Sequence, residues 1–170
     1  GDMLARQPQI MDGLIDPRFF GAMPDRKELS ERLAATLGDA SSYEDFLDRL
    51  RLFGQESLFL IGTRILSGTV SAQQASTAFA DVAEGIVHTV HGLVTDQFAG
   101  QYGKIKGQET AIVAMGRLGS REMTASSDLD LILLYEFDDA KPESDGKRPL
   151  YGAQYFARLT QRIISALTTP

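Results

Sequence analysis

The stretch Ala111–Tyr135, AIVAMGRLGSREMTASSDLDLILLY, decides the reading of this chain. An apolar run ends at Gly116, polar and small residues follow, and Asp128-Leu129-Asp130 opens a second apolar run. Thr110–Met115 is too short and too β-branched to prefer a helix, so it reads as a strand. Asp128–Tyr135 reads as a second strand, apolar on both sides beyond its aspartates and so expected to be covered on both faces. Residues two apart on a strand share a face, which would aim Asp128 and Asp130 together and send Leu129, Leu131 and Leu133 to the other side. Aspartate is disfavoured in strands. Two neighbouring carboxylates repel each other unless a cation sits between them. A turn bearing Gly116 and Gly119 can offer backbone N–H groups to phosphate oxygens. The pattern points to a nucleoside triphosphate carried on magnesium, with Asp128 and Asp130 as metal ligands; the alternative is a solvated strand start at which aspartate caps a loop.

Outward from that stretch, the residues before it read as helices. Asp16-Pro17 and Met23-Pro24 punctuate an irregular opening. Lys27–Leu37 suits a short helix stopped by Gly38. Ser41 with Glu44 is a capping box that opens a helix to about Ser67, with Leu47, Leu50, Leu58, Ile61 and Ile65 on its apolar stripe. Gly54 and Gly62 would each weaken it by up to about 1 kcal/mol unless close packing requires them. Ser71 with Gln74 is a second capping box, opening a long helix with Ala75, Phe79, Val82, Ile86, Val90, Leu93 and Phe98 on one stripe. The segment from Gly100 to Gly107 reads as a loop. After the second strand, the acidic segment Glu136–Pro149 reads as a mobile loop. Tyr151–Leu167 resumes helical spacing. Arg158 and Arg162, four apart on it, are expected on its solvent face.

Composition narrows the function classes. With 170 residues, 43% hydrophobic and 24% charged, the chain is that of a globular protein. A net charge of −6 argues against a sequence-independent nucleic-acid binder, so no nucleic-acid partner is expected. The absence of cysteine excludes disulfides and thiolate chemistry. His88 and His91 lack the glutamate of a zinc-binding helix and are expected to be structural. No apolar run approaches a membrane span and no signal peptide is seen, so a cytoplasmic chain without a membrane partner is expected. Gly1 at the start and Thr168-Thr169-Pro170 at the end suggest a piece of a longer protein.

The string Met115-Gly116-Arg117-Leu118-Gly119, with Glu122 and then Ser126-Ser127-Asp128-Leu129-Asp130-Leu131, resembles the polymerase-β-type nucleotidyltransferase superfamily. Within it, the glutamine synthetase adenylyltransferase branch is the nearest likeness. The likeness extends to Gln154-Tyr155-Phe156 and Arg158–Ile163, and back to Leu14-Ile15-Asp16-Pro17. It implies an α+β fold, with an N-terminal antiparallel helical module over 1–106. A partial nucleotidyltransferase lobe with a small mixed sheet would follow over 107–170. It implies ATP as substrate, Mg2+ as cofactor, and glutamine synthetase and the PII signal protein as partners.

On this resemblance Asp128 and Asp130 are the catalytic residues and hold the metal, and Gly116, Arg117, Gly119 and Ser127 serve the nucleotide. An alternative alignment puts the turn motif at Gly119-Ser120. Arg117 would meet phosphate through its guanidinium fork, or stand simply solvated. Ser127 would position the aspartates or a phosphate, or be an ordinary loop residue. The implied reaction is in-line attack of a glutamine synthetase tyrosine on the α-phosphorus of ATP. A related lobe would remove AMP by phosphorolysis. The wording around Leu14-Ile15-Asp16-Pro17 is more like the approach to the adenylylating lobe. The superfamily's third carboxylate has no counterpart before Pro170, so the chain is expected to be inactive alone. The alternatives are a non-catalytic nucleotide- or PII-binding regulatory lobe and another enzyme of the same superfamily.

Overall fold

The computed structural model describes residues 23–168. The approach motif Leu14-Ile15-Asp16-Pro17 lies outside the described residues. The described residues form two compact units, one of residues 23–86 with Ser120–Asp128, the other of Val87–Gly119 with residues 129–168.

The first unit is helical. Helix α1 (Arg26–Leu37) starts from a reciprocal capping box that the sequence reading missed. Asp25 Oδ1 accepts from Glu28 N at 2.8 Å, and Glu28 Oε2 accepts from Asp25 N at 2.9 Å. Helix α2 (Tyr43–Leu66) is capped one residue later than expected, by Ser42, whose Oγ accepts from Asp45 N at 3.1 Å. Ser41 instead donates its N–H and hydroxyl to Asp45 Oδ2. Arg49 of α2 donates to Thr36 O and Asp39 O, both at 3.2 Å, so it satisfies carbonyls at the end of α1.

Leu29 and Leu33 of α1 are buried with Leu47, Leu50, Phe53 and Ile61 of α2. Leu58 and Ile65, expected on the buried stripe, are more than a third exposed, and Phe53, Ser57 and Arg64 take the inward positions. Gly54 has the packing reason that its place in a helix requires, since a Cβ there would stand 3.1 Å from Ile86 Cδ1. Gly62 has none among the described residues, because a Cβ there would meet nothing within 4 Å.

Helix α3 (Ala72–Tyr102) begins with the predicted Ser71–Gln74 box, whose two reciprocal bonds are 2.9 and 3.2 Å. It gives the first unit Ala75, Ala78, Phe79 and Val82, and the second unit Val87, Val90, Val94 and Phe98. It runs past Gly100 and ends at Gly103, whose φ of +79° is the left-handed cap that glycine adopts without a Cβ penalty. Gly103 N donates to Ala99 O at 2.8 Å.

In the second unit, β1 (Glu109–Ala114) pairs antiparallel with β2 (Leu131–Glu136), with Ile112 opposite Leu133 and Val113 opposite Ile132. The expected mixed sheet is, among the described residues, this two-stranded antiparallel ladder. The fold is therefore α+β and rich in helix. The expected second strand also begins later, at Leu131 rather than Asp128.

The face carrying Thr110, Ile112, Leu133 and Tyr135 meets the helices of its unit. Tyr135 stacks on Phe156 of helix α5 (Gly152–Thr168), with ring centroids 4.2 Å apart. His91 Nε2 lies 2.9 Å from Thr110 Oγ1. On the other face Val113, Ile132 and Leu134 are 40, 46 and 52% exposed, so the expectation of a strand covered on both sides fails among the described residues. Among the described residues, the ring stacking on Phe156 and the His91 contact of this unit's helices fall on the Thr110–Tyr135 face.

Helix α5 buries Tyr155, Phe156, Leu159 and Ile163. Tyr155 packs edge-on to Phe98 and donates its hydroxyl to Gly103 O at 2.9 Å. Arg158 is exposed, as expected. Arg162 is not on the solvent face: its guanidinium lies 5.1 Å from the Phe98 ring centroid and donates to Gln101 Oε1 at 2.6 Å.

The acidic segment after β2, expected to be mobile, is pinned. Asp138 N donates to Lys106 O, Gly146 N to Tyr102 O, and Asp145 Oδ1 accepts from Lys104 N at 2.7 Å. Buried Ser144 accepts from Leu150 N through Oγ at 3.0 Å. The carboxylate of Asp138 is held below the usual carboxylate range by its hydrogen bond from Lys106.

Candidate functional site

The site begins where β1 ends. Met115 N donates to Asp130 O at 2.8 Å, which carries the ladder one step beyond the strand and fixes Asp130 against the turn. Gly116 follows with φ +53°, a left-handed conformation that costs a side-chain-bearing residue about 1–2 kcal/mol. The chain then makes a single helical turn, α4 (Gly116–Gly119), anchored by Leu118, which is 2% exposed. Gly119 N closes the turn on Met115 O at 2.9 Å. A Cβ on Gly119 would stand 2.7 Å from Ala114 O, so both glycines of the motif are sterically required.

Asp130 faces this turn: a Cβ built on Gly116 would collide with its Oδ2. The juxtaposition expected from the sequence, a glycine turn against an aspartate, is therefore present within the second unit. The carboxylate is exposed, and among the described residues it makes no ion pair or side-chain hydrogen bond. Arg117 projects from the exposed side of the same turn.

Asp128 ends the segment Ser120–Asp128 of the first unit and is likewise exposed and without an ion pair among the described residues. Both aspartates thus precede β2 instead of standing on it, and Leu129 between them is 38% exposed. Ser127 shapes the approach to Asp128. Its N donates to Thr124 O at 3.2 Å, and its Oγ accepts from Thr124 N at 2.9 Å. That pair of bonds closes a tight turn of the kind serine side chains favour.

Sequence reasoning gave no role to Arg121, which carries the longest-reaching contacts of the segment. It donates through Nη2 to Asp81 Oδ1 at 2.6 Å and through Nη1 to Glu84 Oε1 at 2.7 Å. No spacing in the sequence could have found it, because Asp81 and Glu84 stand 40 and 37 positions before it.

Two carboxylates suit a magnesium ion that keeps part of its water and takes further oxygens from phosphates. Among the described residues no group of three or more acidic or histidine side chains is placed to hold a metal. The described residues also contain no helix long and apolar enough to cross a membrane.

A glycine turn packed against the exposed Asp130 thus stands at the head of the short antiparallel sheet of the second unit. The chain belongs to the glutamate-ammonia ligase adenylyltransferase family, whose sequence model matches residues 1–170. It is 82% identical over 169 residues to the bifunctional glutamine synthetase adenylyltransferase/adenylyl-removing enzyme of a Bradyrhizobium species, covering 99% of this chain and 17% of that one. The enzyme of the same name from Bradyrhizobium diazoefficiens is 83% identical, with the same coverage. That from Xanthobacter autotrophicus is 53% identical over 170 residues, again 99% of this chain and 17% of the relative. The chain therefore spans about one sixth of the length of these relatives.

Proposed function

We propose that this chain forms part of the apparatus that transfers AMP from ATP to a tyrosine of glutamine synthetase, within a longer bifunctional enzyme. The observation that carries the reading is Gly116 packed against the Asp130 carboxylate, two residues after a second exposed aspartate. The relatives named for this activity support it. In this reading residues 1–106 serve as the helical module and 107–170 as part of the catalytic lobe, the adenylylating one. The PII signal protein is a regulatory partner of the whole enzyme, which works in the cytoplasm.

Asp128 and Asp130 would hold magnesium, which when bound neutralises phosphate charge. Gly116 and Gly119, which carry no Cβ, keep the turn slim, and a triphosphate approaching it would meet backbone beside the Arg117 side chain. Arg117, exposed beside it, pairs with phosphate oxygens through its fork. Ser127 keeps the turn that presents Asp128. The attacking tyrosine hydroxyl comes from glutamine synthetase, and pyrophosphate leaves in line with it.

The test is AMP transfer from labelled ATP to glutamine synthetase by the complete enzyme. Asp128→Asn and Asp130→Asn should each lower it at least a hundredfold. Full activity in both variants would overturn the assignment. The 170-residue chain by itself should transfer no AMP, because its described residues supply two exposed carboxylates and no third near neighbour.

A further inference from the structure

Arg121 is, among the described residues, the one non-glycine residue with positive φ, at +59°. A left-handed arginine persists only where its surroundings hold it there. Here the guanidinium reaches back to helix α3 and forks onto two carboxylates one helical turn apart, Asp81 at 2.6 Å and Glu84 at 2.7 Å. Asp81 is largely buried, its side chain 12% exposed, so it requires a cationic partner more than a surface aspartate does. Two residues further on Met123 is buried, and then the Thr124–Ser127 turn closes. The segment Ser120–Asp128 is therefore fixed at Arg121 and Met123 and ends in the exposed Asp128.

We propose that Arg121, clamped by Asp81 and Glu84, is a positioning residue that holds Asp128 in place for the transfer reaction. The inference rests on the reading of Asp128 as a metal-holding residue. It assigns to an interior face of the helical unit a direct part in setting the catalytic loop. Arg121 touches no reacting atom; it acts through the backbone that joins it to Asp128. The fork matters as well as the charge, because a lysine ammonium is a point donor and would satisfy only one of the two carboxylates well.

The experiment uses the complete bifunctional enzyme and three variants, Asp128→Asn, Arg121→Gly and Arg121→Lys. Glycine keeps the left-handed backbone and removes the clamp; lysine keeps the charge and removes the fork. Both activities are measured against magnesium concentration, with melting temperature alongside. Asp128→Asn should abolish one of the two activities. Both Arg121 variants should lower that same activity about tenfold or more and raise the magnesium concentration for half-maximal rate several-fold. The other activity and the KM for glutamine synthetase should stay unchanged. If Asp128→Asn spares both activities, the reading of the site fails, and the positioning role fails with it. If Asp128→Asn abolishes one activity while Arg121→Lys and Arg121→Gly leave its magnesium dependence unchanged, the positioning role alone is overturned. A parallel fall of both activities with melting temperature in both Arg121 variants would likewise overturn it, leaving a structural ion pair.

Discussion

The carboxylate of Asp130 occupies the space that a side chain at Gly116 would need. Gly116 holds φ +53°, and a Cβ on it would collide with Oδ2 and stand 3.3 Å from Cγ. Backbone conformation and steric room thus make the same demand on one residue. Gly116→Ala should cost about 1–2 kcal/mol from the left-handed backbone alone, and the displaced Asp130 should weaken magnesium-dependent transfer in the complete enzyme. Chemical denaturation and a magnesium titration of the rate check the two parts separately. A variant with unaltered stability and rate would show that the turn does not constrain Asp130.

Phe156 is fully buried among Tyr135, Phe137 and Tyr155, at centroid distances of 4.2, 5.6 and 5.2 Å. It is the residue through which helix α5 holds the sheet. Phe156→Ala should destabilise the 170-residue chain by about 3–5 kcal/mol, the usual range for emptying an aromatic core site. Phe156→Leu should lose less. Urea unfolding of both variants measures the difference, and equal midpoints for Phe156→Ala and wild type would remove Phe156 from the core.

The glycine turn was legible because its demands are local. Gly116 and Gly119 are fixed by turn geometry, whereas Asp128 and Asp130, read as strand residues, stand before β2. The Ser71–Gln74 box was legible for the same reason. What escaped depends on residues distant in sequence. Arg162 seemed a solvent-face residue until Phe98 and Tyr102, some sixty positions earlier, placed their rings under it. Arg121 needed Asp81 and Glu84, which no spacing rule links to it. The acidic segment after β2 looks like a free loop, yet Gly146 lies so close to Tyr102 and Gly103 that a Cβ on it would collide with their backbone. Strand β2 read as covered on both faces because its apolar pattern is continuous, while Ile132 and Leu134 on one face stand about half exposed among the described residues.

The N-cap of α2 gives a sharp comparison between adjacent serines. Ser42 Oγ accepts from the backbone of Asp45, whereas Ser41 donates to the partly buried Asp45 carboxylate. Ser42→Ala should cost about 1 kcal/mol, the typical value of a lost cap. Ser41→Ala should stay within about 0.5 kcal/mol of wild type, as surface substitutions usually do. Thermal unfolding of the two variants decides it. The reverse order of effects would return the cap to Ser41.

His91 gives the chain a pH dependence whose sign is fixed by its surroundings. Burial first, and then repulsion from His88, hold its pKa below the ordinary 6.5. The folded chain therefore takes up the imidazole proton less readily than the unfolded chain. At neutral pH and above, both states are unprotonated there and His91 adds no slope. As the pH falls through about 6.5, the unfolded state binds the proton first, so stability declines until the folded-state pKa is also passed. The ring also holds Thr110 Oγ1 at 2.9 Å, and a bond accepted by its unprotonated nitrogen would be lost on protonation. His91→Gln keeps a polar partner for Thr110 but cannot titrate. Wild type should lose more melting temperature than His91→Gln between pH 7 and pH 5, with the two profiles parallel above pH 7. Coincident profiles across the whole range would mean that the half-buried imidazole is protonated as easily as a free one.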